Sequence, residues 1–362
     1  MRVLHLIDSM HGGGAERVLA TVVAGLARRG FRQALGLLYD RGPLLDLLPP
    51  GVPVTRLTTD HALAGLVRRT RPDVIQTWVD DAAIAAAPVA AMLAIPLIHR
   101  IPHIPSAQYR VHPRGDVHVR RLGQALRACA EIVALSETAA DDTAAYFGVP
   151  RPSVVHNGYP LAARETAPAG PRPRRAGPGP VVLAAGRLSR EKGHRVLVDA
   201  MARVVTDVPG ARCWIAGVGP LEAELRQQID ALALAGTVSL VGFHDPIGPL
   251  LETADVFAMP SLYEGFGNAL VEAMRAGLPV VASDLPVFRR EVLAGTAGAA
   301  LVPPGDAGPL AGALVGLLRS PAARAAAGAA ARDTAARFTA DRMVEGFAAL
   351  YARHKEAVGA TP

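Results

Sequence analysis

The chain has 362 residues, half of them apolar and 19% charged, which is enough to bury sizeable cores in about two domains and argues against disorder. Its two cysteines, Cys129 and Cys213, supply neither a disulfide framework nor a Cys-rich zinc site, so a reducing compartment is the easier setting. The formal charge of +6 suits an anionic partner, but aromatics are only 4% and no RNA-recognition or zinc-finger signature is present; nucleic acid therefore ranks behind phosphorylated small molecules and anionic membrane surfaces. Only Lys192 and Lys355 are lysines, and this Arg bias, with abundant Ala, Gly and Pro, makes part of the charge genomic. The opening MRVLHLIDSMHGGG meets Asp8 early and lacks the form of a secretory signal. The longest apolar stretch, Asp81 to His99, is mostly Ala and is broken by Pro88 and Pro96, short of the about 20 apolar residues of a membrane helix.

In chain order, Arg2–Ile7 reads as a strand, His11-Gly12-Gly13-Gly14 as a turn, and Ala15–Arg29 as a helix with Val18, Leu19, Val22, Val23 and Leu26 on its apolar stripe. Gln33–Tyr39, Val74–Thr77, Leu97–His99 and Ile132–Leu135 read as further strands, with an Ala-rich helix before Leu97 and a helical stretch over Glu137–Phe147. Such alternation implies a parallel sheet covered on both faces. Residues Ala162 to Pro180, dense in Pro, Gly and Arg, hold neither a regular helix nor a central strand and read as a linker. The alternation restarts with a strand at Val181–Ala185, a helix from His194, a strand at Ala211–Ala216 and a helix after Pro220; strands follow at Val238–Val241, Val256–Met259 and Val280–Ala282. From Thr339 to Lys355, Met343, Val344, Phe347, Leu350 and Tyr351 share one face of an amphipathic helix. The expected divisions are thus 1–161, a linker at 162–180, a second domain at 181–338 and a terminal helix at 339–362.

Four segments carry chemistry. Gly12-Gly13-Gly14-Ala15-Glu16, between the first strand and helix, lets backbone approach a ligand and offers helix N–H groups to an anion; a tight turn explains it about as well. With Asp40 it also sketches a nicotinamide fingerprint, although Arg17 fills the third glycine position. Arg187 and Lys192, in Gly186 to Gly193, follow a strand where open α/β sheets bind ligands, and two cations there neutralise a departing diphosphate. Glu264 and Glu272 flank Gly265, Phe266, Gly267, Asn268, Ala269 and Leu270; a helix starting near Gly267 points its N–H groups outward, places Glu272 against two vicinal hydroxyls such as those of a ribose, and leaves Glu264 to a second polyol. Gly217-Val218-Gly219-Pro220 and Val241-Gly242-Phe243-His244 are strand-end turns that offer a wall for a base.

Together these residues resemble the family-4 retaining glycosyltransferases of the GT-B fold, over nearly the whole chain. The resemblance rests on Gly13-Gly14-Ala15-Glu16, on Ala130 to Ser136, on Asn157-Gly158, on Gly186-Arg187 with Lys192-Gly193, and above all on the Glu264 to Glu272 block with Gly277-Leu278-Pro279-Val280-Val281. It implies an α/β architecture of two Rossmann-like domains facing a central cleft, an N-terminal acceptor domain, a C-terminal nucleotide-sugar domain, and a terminal helix crossing back to the first. It implies Arg187 and Lys192 on the diphosphate, Glu272 on the ribose and Glu264 on the donor sugar. Backbone at Phe266–Leu270 lines the donor site, and Gly13 and Gly14 lie on the diphosphate side. The family histidine beyond the strand at Leu97 matches His99 or His103, and His103 is preferred because it lies past the strand. Where the family usually has a small apolar residue and Asp after Asn157-Gly158, this chain has Tyr159-Pro160.

The function expected from this resemblance is retaining hexosyl transfer from a nucleotide-diphosphate sugar, UDP-type favoured, without cofactor or metal, to a glycan, lipid-linked or small natural-product acceptor. The protein is expected in the cytoplasm. The Arg100 to Arg127 stretch, with six Arg and three His, reads either as peripheral contact with the inner membrane face or a pyrophosphate-linked acceptor, or as a solvated loop and helix face. The alternatives are a nucleotide-sugar epimerase of the same fold, an NAD-dependent oxidoreductase and a silent sugar-nucleotide-binding scaffold.

Overall fold

The computed structural model describes residues 1–11, 13–57, 60–111, 115–159 and 179–359. The linker expected at 162–180 lies, as far as residue 178, outside the described residues, as does Gly12. The chain divides into two compact units, 1–161 with 338–362, and 162–337.

The first unit runs β1 (Arg2–Ser9), α1 (Gly14–Arg28), β2 (Arg32–Asp40), β3 (Val54–Arg56), α2 (Asp60–Thr70), β4 (Val74–Thr77), α3 (Asp80–Met92), β5 (Leu97–Ile101), α4 (Pro105–Val111), α5 (Asp116–Ala128), β6 (Glu131–Ala134), α6 (Glu137–Phe147) and β7 (Ser153–Val154). The seven strands are parallel in the order β3-β2-β1-β4-β5-β6-β7. The central strands β4 and β5 are buried at every position, the polar Gln76, Thr77, His99 and Arg100 included. Val3 and Ile7 of β1 face one core with Val18, Val22 and Leu26 of α1, while Leu4 and Leu6 face the other.

The second unit runs β8 (Val181–Ala185), α7 (His194–Asp207), β9 (Arg212–Ala216), α8 (Glu222–Ala231), β10 (Val238–Gly242), α9 (Gly248–Leu251), β11 (Val256–Met259), α10 (Asn268–Arg275), β12 (Val280–Ser283), β13 (Ala300–Val302), α11 (Ala307–Arg319) and α12 (Pro321–Ala335). Its six strands are parallel in the order β10-β9-β8-β11-β12-β13. Each sheet is a doubly wound Rossmann-like layer. The order reverses between β1 and β4 in the first unit and between β8 and β11 in the second, and open α/β sheets bind ligands outside the carboxyl ends of strands at such points.

The terminal helix α13 (Ala340–Gly359) belongs to the first unit. Met343, Val344, Phe347, Leu350 and Tyr351 are all buried, as their spacing predicts, and a Cβ on Gly25 of α1 would lie 2.4 Å from Val344, so glycine sets that close helix approach. The Asn157-Gly158 motif ties this helix down: a Cβ on Gly158 would stand 2.0 Å from the Thr339 carbonyl oxygen. The Tyr159 N–H donates to the Phe338 carbonyl and the Ala340 N–H to that of Tyr159.

Candidate functional site

The loops that leave β8 and β11 meet at the switch point of the second unit. Gly193, with φ +65, closes the short turn Arg190–Lys192, and a Cβ there would fall 1.9 Å from the Pro260 carbonyl oxygen, so only glycine lets the two loops touch. The Leu262 N–H donates to the Glu191 carbonyl at 2.8 Å, and the Ser189 hydroxyl to the Glu191 carboxylate at 2.5 Å. This places Lys192 Nζ 2.5 Å from Glu264 Oε1, which also accepts from the Ser261 hydroxyl at 3.1 Å. The lysine side chain is 24% exposed and the glutamate 9%. Arg187, on the same β8 loop, is exposed and has no ion pair among the described residues. Gly267 caps α10, whose amino end thus emerges from the β11 loop, and Glu272 lies half-buried in the helix's second turn.

A second pair of loops extends the edge. Gly217, with φ +145, would press a Cβ to 1.9 Å from the Gly186 carbonyl oxygen. Its N–H donates to the Gly242 carbonyl at 2.7 Å, and the Leu188 N–H to that of Val218 at 3.0 Å. The turns after β8, β9 and β10 are thereby laced together, with Val218 52% and Phe243 59% exposed on the turns that adjoin the Arg187 loop. Exposed apolar side chains next to a cation suit a flat aromatic ligand that ends in an anion. Phe266 and Leu270 are fully buried in the core, so only their backbone is available to a ligand there. The opening of α7 carries a buried histidine, His194, which burial and then the Lys192 charge push down to about 4; it is neutral near pH 7 and adds no third cation. A surface pocket of about 320 Å³ between α8 and the amino end of β10, lined by Arg226, Asp230 and Val238, lies away from these strand ends.

In the first unit, Gly13 caps α1 and Gly14 begins it at the β1 side of the switch point. The β4 side carries Asp80, which sequence reasoning missed. Its Oδ2 accepts from His103 Nε2 at 2.9 Å and from the Tyr109 hydroxyl at 2.6 Å, and its Oδ1 lies 3.8 Å from His99 Nε2. Burial opposes ionisation of Asp80, but the charge and hydrogen bond of His103, joined by His99, outweigh it and hold the carboxyl well below its usual range. His99 lies inside β5, fully buried, with Nδ1 2.8 Å from the Thr77 hydroxyl; burial first of all lowers its pKa. His103, past the strand, is 16% exposed. The signal available in the sequence was the Asp80-Asp81 pair at the start of a helix that follows a buried strand.

The basic stretch from Arg100 to Arg127 is not one surface. Arg100 is 1% exposed, donates to Asn157 Oδ1 at 2.5 Å and lies 5.7 Å from the Trp78 ring centroid, and burial lowers its pKa to about 10. His103 and His118 face Asp80 and Asp81. The outward residues are Arg110 on α4 and Val117, Arg120, Arg121 and Arg127 on α5. Arg114 and His112 lie outside the described residues. Asp40, the acid of the nicotinamide reading, is exposed and bound to the Arg41 N–H and His11. No helix among the described residues is long and apolar enough to cross a membrane, and none of their His, Cys, Asp and Glu side chains form a group of three or more arranged to hold a metal ion.

Residues 12–163 match the family model described as Glycosyltransferase Family 4, and residues 179–320 that described as Glycosyl transferases group 1. The chain is 28% identical over 284 residues to the lipopolysaccharide core biosynthesis glycosyltransferase LpsE of Rhizobium meliloti, covering 75% of this chain and 76% of that one. It is 29% identical over 346 residues to the 2-deoxystreptamine N-acetyl-D-glucosaminyltransferase of Streptomyces fradiae, covering 84% and 79%. The crystal structure of Anabaena HepE in complex with UDP and glucose superposes with a TM-score of 0.84 over 98% of this chain and all of that one, at 24% identity. The two sheet orders are those of the GT-B architecture, and neither an epimerase nor an oxidoreductase finds support in these matches. With both halves of the chain matched by models of one enzyme class and its fold shared with that class, the chain belongs to the family-4, group-1 glycosyltransferases.

Proposed function

We propose that the protein is a retaining hexosyltransferase that takes its sugar from a UDP-linked donor. The observation that carries this reading is the convergence of Arg187, Lys192 and Glu264 with the amino end of α10 at one switch point. Arg187 and Lys192 stabilise the departing diphosphate, Glu272 takes the ribose hydroxyls, Glu264 the donor sugar, and Val218 and Phe243 flank the base. The family resemblance assigns Gly13 and Gly14 to the diphosphate and His103 to the transferring sugar. The bond from the anomeric carbon to the diphosphate oxygen breaks, the acceptor oxygen bonds to the same face of that carbon, and the acceptor's proton leaves with UDP. The two cations take the part a divalent ion would play, so turnover is expected to need no metal. The HepE complex with UDP supports the choice of base. The relatives that act in lipopolysaccharide core synthesis and on 2-deoxystreptamine support a saccharide or aminocyclitol acceptor.

The test is thermal stabilisation by UDP, GDP, ADP, dTDP and NAD with and without EDTA, since a ligand that prefers the native state raises Tm by mass action. A shift with UDP that EDTA leaves unchanged supports the reading; a shift with NAD alone, or with none, overturns it. Membrane contact is a second reading, favoured by the outward face of α5, where Val117 is 61% exposed beside Arg120 and Arg121, which have no ion pair among the described residues. Co-sedimentation with anionic but not neutral vesicles, lost in R120E/R121E, supports it; equal recovery with both sinks it.

A further inference from the structure

We propose that Asp80 is a positioning residue for the transfer reaction, holding His103 as the Nε2–H tautomer so that Nδ1 is the ring atom left for a substrate hydroxyl. The inference rests on the proposed function for its kinetic consequence, but the geometry stands by itself. Asp80 Oδ2 is 2.9 Å from Nε2, and an ionised carboxylate only accepts, so the proton on that bond belongs to the ring. The same oxygen takes the Tyr109 hydroxyl at 2.6 Å, and the Tyr109 ring meets His103 edge-on at 5.5 Å, so the imidazole is held both by its bond and by its face. His103 Nδ1 is a buried nitrogen with no protein partner, although the side chain as a whole is 16% exposed.

His99 cannot take this part. It is fully buried within β5, and its Nδ1 is engaged by the Thr77 hydroxyl. It stands beside Asp80 instead, with Nε2 3.8 Å from Oδ1. The other charged and titratable groups around the pair come from each neighbouring element: Arg100 on β5, Asp81 beside Asp80 on α3, Tyr109 on α4 and His118 on α5. Asp81 is bound by the Tyr39 hydroxyl at 3.2 Å and lies 3.5 Å from His118 Nδ1. A carboxylate this enclosed is costly without partners, and its imidazole and phenol partners are fixed in return.

The decisive experiment is ¹⁵N NMR of His103 in the full chain, together with steady-state kinetics of Asp80→Asn and Tyr109→Phe. Wild type is expected to carry the proton of its neutral His103 ring on Nε2. Asp80→Asn is expected to mix the two tautomers, to lower kcat about ten- to a hundredfold and to leave the donor KM within about threefold, as loss of a histidine's orienting carboxylate does elsewhere. Tyr109→Phe, which strips the other bond from the same oxygen, keeps the tautomer and most of the turnover. Far-ultraviolet circular dichroism and thermal unfolding of the full chain show that each variant is folded, in the first unit as in the second. A wild-type His103 protonated on Nδ1 overturns the proposal, whether or not Asp80→Asn folds; so does an Asp80→Asn protein with unchanged tautomer and kcat. Absence of glycosyl transfer with every donor would instead strike the proposed function and leave the tautomer result intact.

Discussion

Replacing Lys192 tests two effects that the structure ties together. At 2.5 Å from Glu264, and with an effective dielectric of about 20, the raw attraction is about 7 kcal/mol, most of it offset by the cost of desolvating both ions. Removing the lysine leaves Glu264, 9% exposed, with the Ser261 hydroxyl at 3.1 Å as its remaining partner among the described residues. Loss of a fully buried partner costs about 3–5 kcal/mol and an exposed pair contributes under about 1; with the lysine 24% exposed, the loss falls at about 1–3 kcal/mol. For a unit of this size that lowers Tm by about 2–4 °C per kcal/mol. Separately, loss of one leaving-group cation lowers kcat about 10²–10³-fold. Lys192→Ala shows both effects, whereas Lys192→Ala/Glu264→Gln recovers the stability, because the amide oxygen still accepts from Ser261 and no charge is stranded, but not the turnover. Thermal unfolding by circular dichroism and initial rates of UDP release read the two axes. Near-normal kcat in Lys192→Ala refutes the diphosphate role. A double variant no more stable than Lys192→Ala refutes the argument from the pair.

Glu272→Ala removes a carboxylate from the second turn of α10 and is expected to weaken UDP binding about 10–100-fold by isothermal calorimetry; an unchanged Kd removes the ribose role. Gly193→Ala forces a Cβ to 1.9 Å from the Pro260 carbonyl at a φ of +65, so a loss of about 3 kcal/mol or more is expected in chemical denaturation, and a loss under about 1 would show that the loops slide apart freely. In the first unit, burial pushes the His5 pKa to about 4, against the opposing bond to Gln33. Its Nδ1 accepts from Trp78 Nε1–H, so the neutral ring already satisfies both nitrogens. Since the folded value lies below the unfolded one near 6.5, the contribution is whole above about pH 6.5 and is lost as pH falls toward 4, on the order of 3 kcal/mol in all. Denaturation midpoints measured from pH 7.5 to 4.5 are expected to fall less steeply in His5→Asn than in wild type; parallel curves would refute this.

What the sequence reveals and what it hides follow from one property of parallel sheets. Central strands such as β8 and β11 are legible because burial on both faces makes them unbroken apolar runs. The three-residue β3 and β13 carry too short a pattern, and the Ala-rich α12 too weak an apolar stripe, to be told from loop. Site chemistry is legible by residue type, since a lysine in an arginine-biased chain and two glutamates around a glycine turn need no fold to stand out. Partnerships are not legible. Lys192 and Glu264 are 72 residues apart and meet because β8 and β11 are neighbours in space though not in order; His103 and Asp80 are joined by the adjacency of β4 and β5. Arg100 reads as part of a basic surface until its strand places it over Trp78 and against Asn157. The reversal of strand order is what brings loops from distant segments to one edge, and local pattern does not encode that reversal. Residues that act singly at such an edge can therefore be recognised from sequence, while a residue such as Asp80, whose work is to hold another side chain, becomes visible only once the strands are in place.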